Sequence, residues 1–169
     1  MRYMKISAVL GLLLAGAFAA SAQAQEATFD VMAQSDISVY AYTHGTSTLN
    51  TQMPPLTYTL ATNKFGISSQ LLDVWTSDKS KGIKVELGAQ PVLTGQNHGG
   101  AIPLQIKFGG QPLTVGNDVS FDATTMDWVA NGTQGTTKVP LSLDVTSSAT
   151  SPAADHYVGS FIVNFKMGA

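Results

Sequence analysis

Residues 25–35 read Q-E-A-T-F-D-V-M-A-Q-S, and the fold depends on where this stretch is buried. Its residues alternate, so an extended strand carries Phe29, Val31 and Ala33 on one face. The residues on the opposite face are Asp30, Met32 and Gln34. A strand with an exposed apolar face either forms the edge of its own sheet or adds to the sheet of another molecule. We favour the second interpretation.

A removable leader is predicted to precede this strand. The first residues have the pattern of a secretory signal peptide. Arg2 and Lys5 make the start positive, residues 6–20 are mostly apolar, and residues 22–24 (A-Q-A) match a cleavage site. We place the cut after residue 24, and a cut after residue 22 satisfies the same rule. The apolar middle is short for a membrane span, and no later segment has about 20 consecutive apolar residues. The mature protein is therefore predicted to be exported and soluble.

The composition argues against several classes of protein. The chain has 9 Lys and Arg against 11 Asp and Glu, and loss of Arg2 and Lys5 with the leader leaves a net charge of −4. The only basic group, Lys79, Lys81 and Lys84, lies in a Ser/Gly turn, so no nucleic-acid partner is predicted. The chain contains no cysteine, so its core or neighbouring subunits must stabilise it.

Short alternating stretches recur along the chain. Residues 102–108 alternate most regularly, and Gly109-Gly110 after them predicts a two-residue hairpin. Residues 68–76 are apolar on both faces, which predicts a strand in the middle of a sheet. Residues 91–100 are interpreted as a loop, and Pro140 indicates an edge position for the strand around it. No helical period of about ten residues follows the leader, so the predicted fold is an all-β antiparallel sandwich.

The expected organisation is a signal peptide at 1–24, an N-terminal donor strand at 25–35 and one β-sandwich domain at 36–169. The last alternating stretch, residues 156–167, carries on one face Gly159, Phe161, Val163, Phe165 and Met167.

The sequence lacks a recognisable catalytic constellation. His44, His98 and His156 are isolated in or beside predicted loops, without metal-binding spacing. Asp118 and Asp122 are four residues apart, but the residues between them do not make a calcium loop. We therefore predict no enzymatic activity, no metal and no cofactor.

Four stretches, in their order, resemble the major pilins of alpha-class chaperone-usher fimbriae, the group of colonisation factor antigens and cable pili. They are E-A-T-F-D-V-M-A (26–33), V-W-T-S-D-K-S-K-G-I-K-V-E-L (74–87), I-P-L-Q-I-K-F-G-G-Q-P-L-T (102–114) and H-Y-V-G-S-F-I-V-N-F-K-M-G-A (156–169). In the family a proline closely follows the donor strand, whereas this chain has Ser35-Asp36-Ile37. A hinge at that proline is therefore not carried over.

The resemblance implies an immunoglobulin-like sandwich that is incomplete and is completed by donor-strand exchange. In that family a neighbour's N-terminal strand fills an open groove, so Phe29, Val31 and Ala33 would enter the groove of the next copy. The groove and the chaperone contact would be formed by the last strand, through Tyr157, Gly159, Phe161, Val163, Phe165 and Met167.

The implied function is that of a major structural subunit of an adhesive surface fimbria. The implied partners are further copies of the chain joined head to tail, a tip adhesin subunit, a periplasmic chaperone, an outer-membrane usher and, through the fimbria, a host cell receptor. The main alternative is a stand-alone exported carbohydrate-binding module. Its N-terminal strand would lie in its own sheet, and Tyr40, Tyr42 or Trp75 would form a sugar platform. A secreted hydrolase and a tip adhesin fit the sequence less well.

Overall fold

The structure is a computed structural model that describes residues 26–35, 38–97, 99–149 and 152–169. The predicted leader and its cleavage site lie outside these residues, as does His98. In the first strand the backbone is described throughout, whereas the side chains of Phe29 and Ala33 are not.

The described residues form fourteen strands and no helix. The strands are β1 (Glu26–Ser35), β2 (Val39–Thr43), β3 (Leu56–Thr59), β4 (Lys64–Phe65), β5 (Ser68–Thr76), β6 (Ile83–Leu87), β7 (Val92–Gly95), β8 (Ala101–Phe108), β9 (Gln111–Pro112), β10 (Val119–Phe121), β11 (Trp128–Asn131), β12 (Gln134–Thr137), β13 (Leu141–Ser147) and β14 (Tyr157–Met167). The predicted all-β class is therefore confirmed.

The strands form two layers of a sandwich. In the first layer β14 pairs with β6 and β7 on one side and with β1 on the other, and β3 and β4 follow β1. In the second layer β5 lies between β2 and the strands β12 and β13, and β13 then pairs with β8. Strand β8 joins the layers, because its first residues pair with β7 and the rest with β13.

The alternation of apolar residues explains which side chains fill the space between the layers. A strand directs successive side chains to opposite faces, so every second residue of β6, β8 and β14 enters the core. The buried residues of the second layer follow the same rule and include Val39, Leu72, Val74, Leu143 and Val145. Burial of each such side chain contributes about 1.5–3 kcal/mol relative to an exposed position.

Three phenylalanines from separate strands meet in this core. The ring of Phe108 lies 5.4 Å from the ring of Phe121 and 5.4 Å from that of Phe165, and both pairs are close to perpendicular. Edge-to-face packing of this kind adds about 0.5–1.5 kcal/mol per pair to the burial of the rings. Because Phe108 comes from β8 and Phe165 from β14, the cluster connects the two layers.

The predicted hairpin at Gly109-Gly110 is confirmed. Phe108 pairs with Gln111, so two residues form the turn, and both have positive φ, 52° and 79°. Two positive φ angles are typical of the type I′ hairpin turn, which glycine adopts without strain.

Two local predictions are wrong. Residues 92–95, interpreted as part of a loop, form β7, which pairs with β14 and β8. This strand is too short to show an alternation, and one of its two partners, β14, is far away in sequence. Pro140 does not mark an edge, because β13 begins at Leu141 and lies between β5 and β8. The proline precedes the ladder and removes no hydrogen bond from it.

The interior position predicted for residues 68–76 is confirmed, because β5 has neighbours on both sides. Only one of its faces is buried, however. Leu72 and Val74 point into the core, whereas Leu71 on the outer face is 47% exposed.

The aromatic cluster gives a prediction for stability. Replacing Phe108, which is 0% exposed, by alanine removes both ring contacts and leaves a cavity. We expect Phe108→Ala to lower the free energy of unfolding by about 3–5 kcal/mol. Chemical denaturation followed by tryptophan fluorescence measures this change. The control is Val139→Ala at a residue that is 64% exposed, and equal midpoints for the two variants would contradict the assignment.

Candidate functional site

The candidate site is the groove beside β14 that β1 occupies. One edge of β14 is paired with β7 over Tyr157–Ser160 and with β6 over Val163–Met167. The other edge is paired with β1 over nine consecutive residues, from Ala27 opposite Tyr157 to Ser35 opposite Phe165. The backbone of β14 therefore has partners along both edges.

The second wall of the groove is the segment 51–57. The backbone N–H of Val31 donates to the carbonyl of Thr51 at 2.7 Å, and Asp30 forms a β-bridge with Gln52. Further along, Ala27 and Glu26 pair with the first residues of β3. Strand β1 is thus an interior strand of the first layer, with hydrogen-bonded neighbours on both sides.

The alternation of β1 matches this position where its side chains are described. Val31 is 1% exposed and lies in register with Phe161, whereas its neighbour Asp30 is exposed to solvent. The backbones of Phe29 and Ala33 pair with Gly159 and Val163. Their burial in a groove stays a prediction, because their side chains are not described.

The residues expected to line the groove lie on one face of β14. Tyr157, Phe161, Val163 and Phe165 are almost fully buried, and the other two, Gly159 and Met167, are partly buried. Glycine is required at position 159, because a Cβ atom there would lie 2.6 Å from the carbonyl oxygen of Val92. The role of these residues in contacting another molecule stays a prediction.

The start of β14 is fixed by two polar contacts. The hydroxyl of Tyr157 donates to the carbonyl of Ala153 at 2.9 Å, and burial, followed by the nearby charge of Asp155, raises the pKa of this hydroxyl above its ordinary value. The carboxylate of Asp155 accepts from the backbone N–H groups of Asn97, at 3.0 Å, and Gly99, at 2.6 Å. These bonds attach the loop after β7 to the residues that lead into β14.

The far end of β14 is fixed by charges on the outer face. The ammonium group of Lys166 lies 2.7 Å from a carboxylate oxygen of Glu86 and 3.1 Å from one of Asp118. Hydrogen bonds to Glu86 and then to Asp118 raise the pKa of Lys166. Asp118, considered as a metal ligand in the sequence, is thus engaged with a lysine.

The described residues offer little that could serve catalysis or metal binding. They contain no group of three His, Cys, Asp or Glu side chains placed to hold a metal ion. The ring of His44 lies 3.0 Å from the Asp73 carboxylate on an exposed surface. No helix long and apolar enough to cross a membrane occurs in this part of the chain.

The aromatic residues considered as a sugar platform lie on the outer face of β2 and β5. Tyr40 stands in register with Trp75, and their rings are 5.4 Å apart and tilted by 39°. Tyr42, opposite Asp73, is partly buried. The face is distant in topology from the groove, because β2 and β5 belong to the second layer.

Sequence reasoning missed the second wall of the groove. Residues 44–55 are rich in Gly, Ser, Thr and Asn and end in Pro54-Pro55, which is typical of a loop, and most of this segment has no regular strand pairing in the structure. The contacts described between this segment and β1 include the hydrogen bond from Val31 to Thr51 and the bridge between Asp30 and Gln52. No alternation in the sequence marks such isolated contacts.

Comparison with known proteins agrees with the geometry. A family model described as "CS1 type fimbrial major subunit" matches residues 23–166. Two curated CS1 fimbrial subunit proteins from Escherichia coli are 32% identical over 149 residues, which cover 85% of this chain and 86% of theirs.

A solved structure, the CooA pilin subunit from enterotoxigenic Escherichia coli, shares the fold with a TM-score of 0.56 at 20% identity. The match covers 78% of this chain and 99% of that one, and supports the predicted immunoglobulin-like sandwich. Together with the family match, it confirms the resemblance to alpha-class major pilins. The chain belongs to the CS1 type fimbrial major subunit family and is a major structural subunit of a fimbria.

Proposed function

We propose that this fimbrial subunit polymerises by donor-strand complementation, with residues 25–35 of one copy filling the groove of the next. The observation that carries the proposal is the position of β1. This strand is interior to the first layer, yet among the described strands it is the first along the chain. Its covalent connection to the following strands begins only after Ser35. Such a strand can be exchanged between copies without rearranging the rest of the sandwich.

The energy of the contact comes from burial and from the backbone ladder. Val31 is fully buried in the groove, which contributes about 1.5–3 kcal/mol. Phe29 points to the same face by alternation, and we expect a similar contribution from it, with less from Ala33. The chain has no cysteine, so a fibre of such subunits would be held by non-covalent contacts alone.

The contact joins two different surfaces, the donor strand of one copy and the groove of another. A heterologous contact of this type does not have to close into a ring and produces an open filament. Head-to-tail growth therefore follows from the geometry of a single repeated contact.

Before assembly the groove needs another strand, because an open edge beside β14 would aggregate. We assign this role to a periplasmic chaperone that contacts the buried face of β14, through Tyr157, Gly159, Phe161, Val163, Phe165 and Met167. A leader at 1–24 would direct export to the periplasm, and an outer-membrane usher and a tip adhesin would complete a fimbria that attaches the cell to its host. Membership in the fimbrial subunit family supports this proposed route of export and assembly.

The position of β1 in its own sheet was also expected of a stand-alone carbohydrate-binding module. The family match separates the two interpretations and does not favour the module. The pair formed by the exposed Tyr40 and the partly buried Trp75 is by itself compatible with either interpretation.

Deleting residues 25–35 tests the donor role. The variant lacks the donor strand but keeps β14 and the segment 51–57, so we expect it to be recovered with the chaperone and to form no fibres. Electron microscopy of the cell surface and co-purification with the chaperone measure the two properties. Normal fibres from this variant would rule out donation by residues 25–35.

A single substitution in β1 tests its buried face. Val31→Asp places a carboxylate where the side chain is 1% exposed, and burial of an unpaired polar group costs at least about 2 kcal/mol, so we expect loss of fibres. The matched control is Asp30→Asn, at the adjacent and exposed position, which should assemble normally. Immunoblots of fibres sheared from cells measure the yield, and equal yields from both variants would contradict the proposal.

A further inference from the structure

The direction of β1 differs from that of the other strands. It runs parallel to β14 over nine residues, whereas every other pair of described strands is antiparallel. Parallel pairs are slightly less stable per residue than antiparallel pairs. The strand therefore fills the groove in the weaker of two possible directions.

The connection to β2 explains this direction. Three residues separate Ser35 from Val39, and such a segment spans at most about 14 Å. Val39 belongs to the second layer, through its pairing with Thr76, so about 10 Å of that span is used in crossing between layers.

Little of the connection is left for movement along the groove. Reversing β1 would move Ser35 from beside Phe165 to beside Tyr157, a displacement of about 26 Å along β14. After crossing between the layers, the connection allows Ser35 to lie at most about 10 Å along the groove from the position of Val39. A copy of the chain can therefore insert its own strand only in the parallel direction, whereas a strand from another molecule has no such restriction.

From this we infer that, when no chaperone holds the groove, the protein exists as a closed monomer, in which its own β1 caps the groove and must leave before a strand from another molecule can enter. The inference rests on the proposed donor role of residues 25–35. In the closed monomer Val31 is buried, Asp30 and Ser160 face solvent, and the edge of β14 is paired with β1.

Intramolecular capping has a concentration advantage. A strand on a short connection acts at an effective concentration in the millimolar range, so at low protein concentration it excludes a neighbour's strand of equal affinity. The cap therefore delays assembly and protects the groove. A strand from another molecule can enter only after β1 has left, so the barrier to assembly is the release of this strand.

A pair of introduced cysteines tests the closed monomer, since the natural chain has none. Asp30 and Ser160 are in register and both exposed, so Asp30→Cys with Ser160→Cys should form a disulfide within one chain. The control is Asp30→Cys with Asn164→Cys. Asn164 pairs with Gln34, about 13 Å further along β1, which is beyond the reach of a disulfide.

The purified mature chain is oxidised at low concentration and analysed on non-reducing gels and by peptide mass spectrometry. We expect a cross-link within the monomer for the matched pair and none for the control pair. Absence of the cross-link in the matched pair, or cross-links that join two chains instead, would overturn the inference.

A fluorescent peptide with the sequence of residues 25–35 then reports whether the groove is accessible. We expect no binding to the oxidised matched pair, slow binding after reduction, and faster binding to the full chain with Val31→Asp, in which the buried contact of the cap is weakened. Equal binding before and after reduction would overturn the cap. A peptide that binds none of the three would instead contradict the donor role, while the cross-link still decides whether the monomer is closed.

Discussion

The structure depends on the backbone pairing of β14 along both of its edges. One edge is covered by β6 and β7, which belong to the body of the sandwich, and the other by β1. The residues of β14 that face the core lie between the two layers, and its backbone groups are paired along both edges. Unpaired backbone groups in such a place would be as costly as lost hydrogen bonds.

The two edges are not equivalent. Strands β6 and β7 are connected to the body at both ends, and polar contacts at Asp155 and Lys166 fix the two ends of β14 beside them. Strand β1 is held by its ladder, by Val31 and by the bridge between Asp30 and Gln52. This difference between the two edges is what the proposed donor role requires, because it lets β1 leave while β6 and β7 stay in place.

Because the chain contains no cysteine, no disulfide stabilises it, and its stability depends on the packing of the core. The aromatic cluster of Phe108, Phe121 and Phe165 connects the two layers. Gly159 allows β14 to approach β7 closely, and Gly109-Gly110 allow the tight hairpin between β8 and β9. Two local predictions were wrong, the loop at 91–100 and the edge position of Pro140, because β7 is too short to alternate and Pro140 precedes its strand.

The sequence by itself determined which face of strands such as β8 and β14 is buried, because a period of two residues is a local property of an extended chain. Val31 in β1 and Phe161 and Phe165 in β14 were assigned to buried faces on this ground. Only the tertiary structure decided which strands are neighbours, that β7 exists, that the segment 51–57 forms the second wall, and that β1 runs parallel to β14. These features depend on contacts between distant residues and on the length of a connection between layers, which alternation does not encode.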